Sequence, residues 1–221
     1  MSAGLLSQPD RGCALCPRLA AFRHDQRAAF PAWHNGPVAS FGAGDARLLV
    51  VGLAPGLRGA NRTGRPFTGD FAGDLLFATL AKFGFARGTY EADPGDGLEL
   101  VDCLITNAVR CVPPANKPTS VEIRTCNGFL AAQMAALPRL QAILTLGRIA
   151  HDATLDALAA RRAAHAFAHG ARHDLGALRL FDSYHCSRYN TNTNRLTPAM
   201  FEAVFADIGG YLASGSTASC I

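Results

Sequence analysis

The sequence predicts an α/β fold, a three-layer α/β/α sandwich around a central, mainly parallel four-stranded sheet. Three observations predict it. Four short apolar runs bounded by Gly, Pro or polar residues read as strands buried on both faces. Longer helical patterns alternate with them, which supplies the crossovers that parallel pairing requires. Of 221 residues, 49% are apolar and 13 are Phe, enough to build a substantial core.

The first strand is Arg47–Leu53 (RLLVVGL); a glycine-rich loop then leads into a helix over Gly73–Phe83. The second strand is Leu100–Asn107. A helix over Thr119–Leu137 follows, announced by Thr119-Ser120-Val121-Glu122 directly after Pro118. That pattern is a capping box, in which the Thr hydroxyl and the Glu carboxylate each take a backbone N–H of the first turn. Gln141–Leu146 and Leu178–Tyr184 are the third and fourth strands, with helices over Arg148–Ala160 and Pro198–Ala213. No internal repeat is visible, and the stretch 156–173 is rich in Ala and His. Parallel sheets bind ligands beyond the carboxyl ends of their strands. Chemistry is therefore expected just after Leu53, Asn107, Leu146 and Tyr184.

A formal charge of +4 permits contact with nucleic acid without demanding it. The start, MSAGLLSQPDRGC, has no basic residues leading into an apolar run, so no signal peptide is expected. No window approaches the roughly 18 apolar residues of a membrane span. The expected compartment is a reducing cytoplasm, where seven cysteines point to metal binding or catalysis rather than disulfides.

Cys13 and Cys16 form a C-x-x-C; Cys111 follows the second strand, ahead of the rigid V-P-P-A-N-K-P segment; Cys126 lies in the capped helix beyond it. These four thiolates can converge on one site, and by spacing alone they suit zinc and an iron–sulfur cluster equally. Cys103 sits within an apolar strand and reads as core, and Cys220, near the C-terminus, reads as incidental.

Two strand-end loops are unusual. The first runs from Gly52 to Asp70 and carries one aromatic, Phe67, and one carboxylate, Asp70. Its glycines let backbone amides approach a ligand, although no phosphate-loop G-x-x-x-x-G-K is present. The other, from Ser183 to Arg195, sets His185 beside basic, aromatic and amide side chains suited to phosphates and bases. Asn107, at the end of the second strand, offers an amide that both donates and accepts.

Together these segments resemble the iron–sulfur uracil-DNA glycosylases, most closely the type B (family 5) branch. The resemblance is carried by GLAPGLRGANRTGRPFTGD at 52–70, by TNAVRCVPPANKPT at 106–119, and by the segment from His185 to Thr197. It extends from the C-x-x-C to about Ala213. It implies a single domain over 1–221, with the N-terminal C-x-x-C segment packed against the rest through a 4Fe–4S cluster on Cys13, Cys16, Cys111 and Cys126. It further implies a monomeric DNA repair enzyme that acts on DNA containing deaminated bases, in the cytoplasm of a bacterium at the nucleoid.

Such an enzyme turns the base out of the stack before cutting its glycosidic bond. Phe67 is the expected stacking partner and Asn107 the edge reader, with Ala54 supplying a backbone amide. His185 is expected to hydrogen-bond the base carbonyl as negative charge develops, and Asp70 to position water or stabilise the sugar cation. Asn190 is expected beside substrate or water, while Arg188, Tyr189, Arg58 and Arg62 contact DNA. Three departures from relatives stand out. Leu53 replaces an acidic or amide residue of other branches, which shifts the catalytic burden toward Asp70. His185-Cys186-Ser187-Arg188 replaces H-P-S-P, which implies a differently shaped insertion loop and leaves a pocket-facing Cys186 thiol open. Asn194 replaces the glycine of T-G-R-L-T, a turn that Asn tolerates because it accepts positive φ. A pocket lacking the first-motif carboxylate is expected to accept uracil, hypoxanthine, xanthine and modified uracils. The competing readings are a uracil-DNA-binding relative or one that traps its product on His185, an electron-transfer protein, and a zinc-stabilised nucleic-acid module.

Overall fold

A computed structural model describes residues 8–215. Its main sheet has six strands rather than the four expected. In chain order the strands are β1 (Phe41–Gly42), β2 (Leu48–Gly52), β3 (Ala86–Arg87), β4 (Glu99–Leu100), β5 (Cys103–Asn107), β6 (Ala142–Leu146), β7 (Arg172–Leu175) and β8 (Leu178–Ser183). The six-stranded sheet runs β1-β5-β2-β6-β8-β7, while β3 and β4 form a separate pair. The inner strands β5, β2, β6 and β8 are mutually parallel. They are the four apolar runs. Both edges are antiparallel, β1 on β5 and β7 on β8. The edges were unreadable as strands for physical reasons: β1 is two residues long, and β7 (RHDL) carries charge on a half-exposed ribbon.

The second strand is shorter than its apolar run because Asp102 breaks it at φ 52°. The Asp102 carboxylate instead accepts from the N–H and Nε of Arg47, which pins the start of β2 to the start of β5.

The helices are α1 (Pro17–Ala29), α2 (Ala60–Thr63), α3 (Phe71–Lys82), α4 (Ser120–Ala135), α5 (Arg148–Ala157), α6 (Arg188–Asn192) and α7 (Pro198–Gly215). Alternation along β2 creates the layers. Leu48 and Val50 pack with Leu76, Leu80, Val204 and Phe205 of α3 and α7. Leu49 and Val51 pack with Leu130, Met134, Ala150 and Ala153 of α4 and α5. All four β2 side chains are fully buried. The Thr119–Glu122 capping box is present and opens α4 at Ser120. Helices α1, α2 and α6 lie outside the helical patterns read from the sequence; α1 buries little beyond Leu19 and Arg23, so its apolar stripe is faint. Leu19 joins Val109, Cys111 and Cys126 in a small apolar cluster of its own. Among the described residues, no helix is long and apolar enough to cross a membrane. Cys220 lies outside the described residues.

Candidate active site

The carboxyl ends of β2, β5 and β8 open onto a cavity of about 370 Å³. Its wall includes Ala54, Phe67, Asp70, Asn107, His185 and Arg188, six residues singled out in the sequence. Asn107 ends β5 and is only 3% exposed. Its neighbour across the sheet is Gly52, and a Cβ at that position would lie 2.4 Å from Asn107 Oδ1 and 2.6 Å from Phe67 Cζ. Glycine at 52 is what lets the amide and the ring share one wall.

Phe67 adopts φ 56°, a left-handed conformation rare for a bulky residue. The Tyr90 hydroxyl, donating to the Phe67 carbonyl at 3.2 Å, helps hold it there. Gly73 leaves room for this contact, since a Cβ would sit 2.0 Å from that carbonyl and 2.3 Å from the Tyr90 oxygen. Strain of this kind gathers at functional sites. The Phe67 ring faces the His185 imidazole, with centroids 5.9 Å apart and planes 26° from parallel.

Asp70 is the N-cap of α3, accepting from the Ala72 N–H at 3.2 Å. Its other carboxylate oxygen lies against Gly56 and Gly59, where a Cβ would stand 3.0 and 2.4 Å away. Burial raises its pKa, opposed by the backbone N–H groups of Ala72 and Gly73. Capping α3 and lining the cavity are thus compatible roles for Asp70. Burial pulls His185 down to about 4, so the imidazole is neutral at physiological pH.

Other expectations fall outside the cavity wall. Asn190 does not line it; its amide donates to the His185 carbonyl at 2.8 Å and braces the loop from behind. Arg58 and Arg62 are exposed on the first loop, and Tyr189 is 71% exposed on α6. Arg188 lies over the Phe71 ring at 5.1 Å, on the cavity rim. Cys186 is fully buried and donates to the Ala72 carbonyl at 3.4 Å, so a pocket-facing thiol is ruled out. Asn194 does adopt positive φ, 55°. Sequence reasoning passed over Asn116 and Phe71, which also line the cavity. Asn116, at φ 56° beside Ala115 at 53°, was signalled by an Asn set between prolines in a tight loop.

The model of the uracil DNA glycosylase superfamily matches residues 39–209. The chain belongs to that superfamily. Among curated relatives, a type-5 uracil-DNA glycosylase of Thermus thermophilus is 46% identical over 202 residues, covering 88% of this chain and 91% of that protein. The type-5 enzymes of Mycobacterium tuberculosis and Pyrobaculum aerophilum are 41% and 40% identical, covering 88% and 84% of this chain and 76% and 82% of those proteins. A type-4 enzyme of Archaeoglobus fulgidus matches more narrowly, at 38% over 106 residues, 48% of this chain and 45% of that protein. The superfamily's members thus include close relatives whose lengths this chain largely spans.

A second cavity is lined by Cys13, Cys16, Cys111 and Cys126, together with Leu19, Val109, Phe129 and Arg23. Burial pushes the Cys111 thiol up to about 12 and raises Cys16 and Cys126 as well. The donor set is four thiols in an apolar wall, and the Arg110 N–H donates to Cys126 Sγ at 3.4 Å. The Nε of Arg23 and the Nε and Nη2 of Arg110 are buried without a hydrogen-bond partner among the described residues. Soft sulfur donors, backbone N–H groups on sulfur and unspent cationic donors fit an anionic thiolate-bound cluster.

Behind β8 lies another polar group that the sequence did not suggest. Asp182 is fully buried; its carboxylate takes His151 Nδ1 at 2.8 Å, His173 Nε2 at 3.0 Å and the Thr145 hydroxyl at 2.6 Å. Burial lowers the pKa of His151, but Asp182 outweighs it and leaves the imidazole raised. The second nitrogen of His151 meets the His165 carbonyl at 2.8 Å. The group is a paired network that clamps β6, β8, α5 and β7 beneath the His185 loop.

Proposed function

We propose that this chain is a monofunctional DNA glycosylase of base excision repair, which flips uracil from duplex DNA and hydrolyses its N-glycosidic bond. One observation carries the reading: an aromatic ring, an amide, a neutral imidazole and a carboxylate converge in a single cavity at the strand ends.

Each group has a task set by its chemistry. Phe67 stacks on the flipped base and Asn107 pairs with its polar edge, a match of donor to acceptor that an amide makes in either sense. The Ala54 segment adds backbone contacts. His185, neutral, donates one N–H to a base carbonyl as the C1′–N bond breaks and negative charge moves onto the base. A donor of this type aimed at developing charge is commonly worth about 10²–10³ in rate. Asp70 orients the water that adds to C1′ and accepts its proton, and the departing base is reprotonated from solvent. Asn190 acts by fixing the His185 carbonyl. Arg188, Tyr189, Arg58 and Arg62 supply phosphate contacts and fill the gap the base leaves.

Leu53 lines the cavity where other branches carry an acidic or amide residue, so edge recognition rests on few polar groups. Hypoxanthine, xanthine and modified uracils are proposed as further substrates. Cys13, Cys16, Cys111 and Cys126 would hold a 4Fe–4S cluster. When bound, that group supplies a covalent tie between the N-terminal segment, the loop after β5 and α4, making 1–221 one unit. The enzyme is proposed to act as a monomer at the nucleoid in a bacterial cytoplasm.

The test is base release from matched duplexes bearing uracil, hypoxanthine, xanthine or ethenocytosine, with the anaerobic visible spectrum recorded on the same sample. Multiple-turnover release of several bases and absorption near about 400 nm are expected. Activity confined to uracil sinks the breadth. A stoichiometric burst with protein-bound product would replace turnover by trapping at His185. A colourless, active enzyme would remove the cluster.

A further inference from the structure

Arg110 is 1% exposed and Arg23 is 3% exposed. An arginine this deep is normally paired with a carboxylate, because an isolated buried charge is strongly disfavoured. Neither has one. Arg23 spends its Nη groups on the carbonyls of Arg11 and Cys13. Arg110 spends Nη1 on the Ser40 hydroxyl at 2.7 Å and on Gln8 Oε1 at 3.1 Å. All the named acceptors are neutral. Three further donors, Arg23 Nε and Arg110 Nε and Nη2, meet no acceptor among the described residues. Glu122, a buried carboxylate of α4, is already taken by Arg18 at 2.7 Å.

What both arginines share is a place beside the four thiols. Arg23 lines it. Arg110 immediately precedes Cys111, its backbone N–H donates to Cys126 Sγ at 3.4 Å, and its side chain is buried without a carboxylate partner among the described residues. Four thiolates around a 4Fe–4S core leave a net charge of about −2 in its resting state. Two buried guanidiniums cancel that charge one for one.

We infer that Arg23 and Arg110 are the internal counter-ions of the cysteine-bound cluster, retaining it in the protein and setting its reduction potential. The inference rests on the cluster reading above and adds two residues that are not ligands. Cancelling the charge makes the oxidised, less negative cluster no longer favoured over the reduced one, which raises the potential. It also lowers the free energy of four thiolates held in an apolar wall.

The experiment uses the full chain, reconstituted anaerobically with iron and sulfide. Cluster midpoint potential by voltammetry and iron lost to a chelator are measured for wild type, Arg23→Gln, Arg23→Lys, Arg110→Gln and Arg110→Lys. Both Gln variants should lose iron at least about tenfold faster and titrate at lower potential, with both Lys variants close to wild type. Gln variants that load the cluster at wild-type potential and retention overturn the inference. Failure of Lys and Gln variants alike to hold iron also overturns it, because the guanidinium shape rather than its charge would then matter. A wild-type protein that takes up no iron fails the cluster reading itself, an outcome distinct from either.

Discussion

Gly52→Ala tests whether the shape of the cavity wall, and not only its list of side chains, sets activity. The new methyl would stand 2.4 Å from Asn107 Oδ1 and 2.6 Å from Phe67 Cζ. To regain an ordinary 3.4 Å contact, the amide must retreat by about 1 Å and the ring by about 0.8 Å. Displacements near 1 Å in a positioned site cost on the order of 10² in rate, about 2.7 kcal/mol of barrier. Overpacking a buried strand costs a further 1–3 kcal/mol or so of stability. Asp70 and His185 are not touched, so the loss falls on recognition of the base. Gly128→Ala is the companion control: nothing lies within 4 Å of its Cβ position in α4. It should leave excision unchanged and raise stability by roughly 0.5–1 kcal/mol. Steady-state kcat/KM on uracil duplex and thermal melting of both variants are the measurements. A folded Gly52→Ala protein within about threefold of wild-type kcat/KM would refute the argument.

Asp70→Asn preserves the helix cap, since Asn caps as well as Asp; melting should be unchanged while excision drops by at least about 10². Retained activity would move water activation elsewhere. The pH profile of kcat/KM should show no inflection near the free imidazole value of about 6.5, because burial holds His185 neutral down to about 4. An inflection there that Gln at 185 abolishes would contradict it. Asp96 is fully buried against Arg65 at 2.7 Å, and that guanidinium holds its carboxyl well below the usual carboxylate range. With its folded pKa depressed, its contribution is present above about pH 4 and is lost as the pH falls lower. Asp96→Ala should destabilise by about 3–5 kcal/mol at neutral pH by stranding Arg65, and a loss below about 1 kcal/mol in chemical denaturation would count against it.

The parallel core was readable because a strand buried on both faces must be apolar throughout, and Leu48–Val51 obeys that rule. The capping box was readable because its two hydrogen bonds are local. The edges were hidden: β7 carries Arg172 and Asp174 on a half-exposed ribbon, and no period marks it. In the cavity, Asn107 and His185 were found because topology fixes where parallel strands end, and Asp70 because it is the one carboxylate of the loop after β2. The Asp182 network escaped notice because its partners lie on four separate elements, and only tertiary packing turns an Ala- and His-rich stretch into a clamp. That Asn190 turns its amide onto the His185 carbonyl was not readable, because sequence distance from His185 does not say which way an amide turns.

The strand order β5-β2-β6-β8 also determines when activity can arise during folding. Asn107 ends β5 and Asp70 caps the helix that follows its neighbour β2, but His185 comes after β8, whose docking site is the edge of β6. The two groups proposed to act together, Asp70 and His185, are separated by more than a hundred residues of chain, and closing so long a loop in parallel register is intrinsically slow. No chain ending before β8 contains both the carboxylate and the imidazole. A polypeptide cut short before β8 therefore lacks one of the two groups on which the proposed hydrolysis depends. On the proposed roles, competence to cut a glycosidic bond waits for β8 and the loop after it, late in the chain.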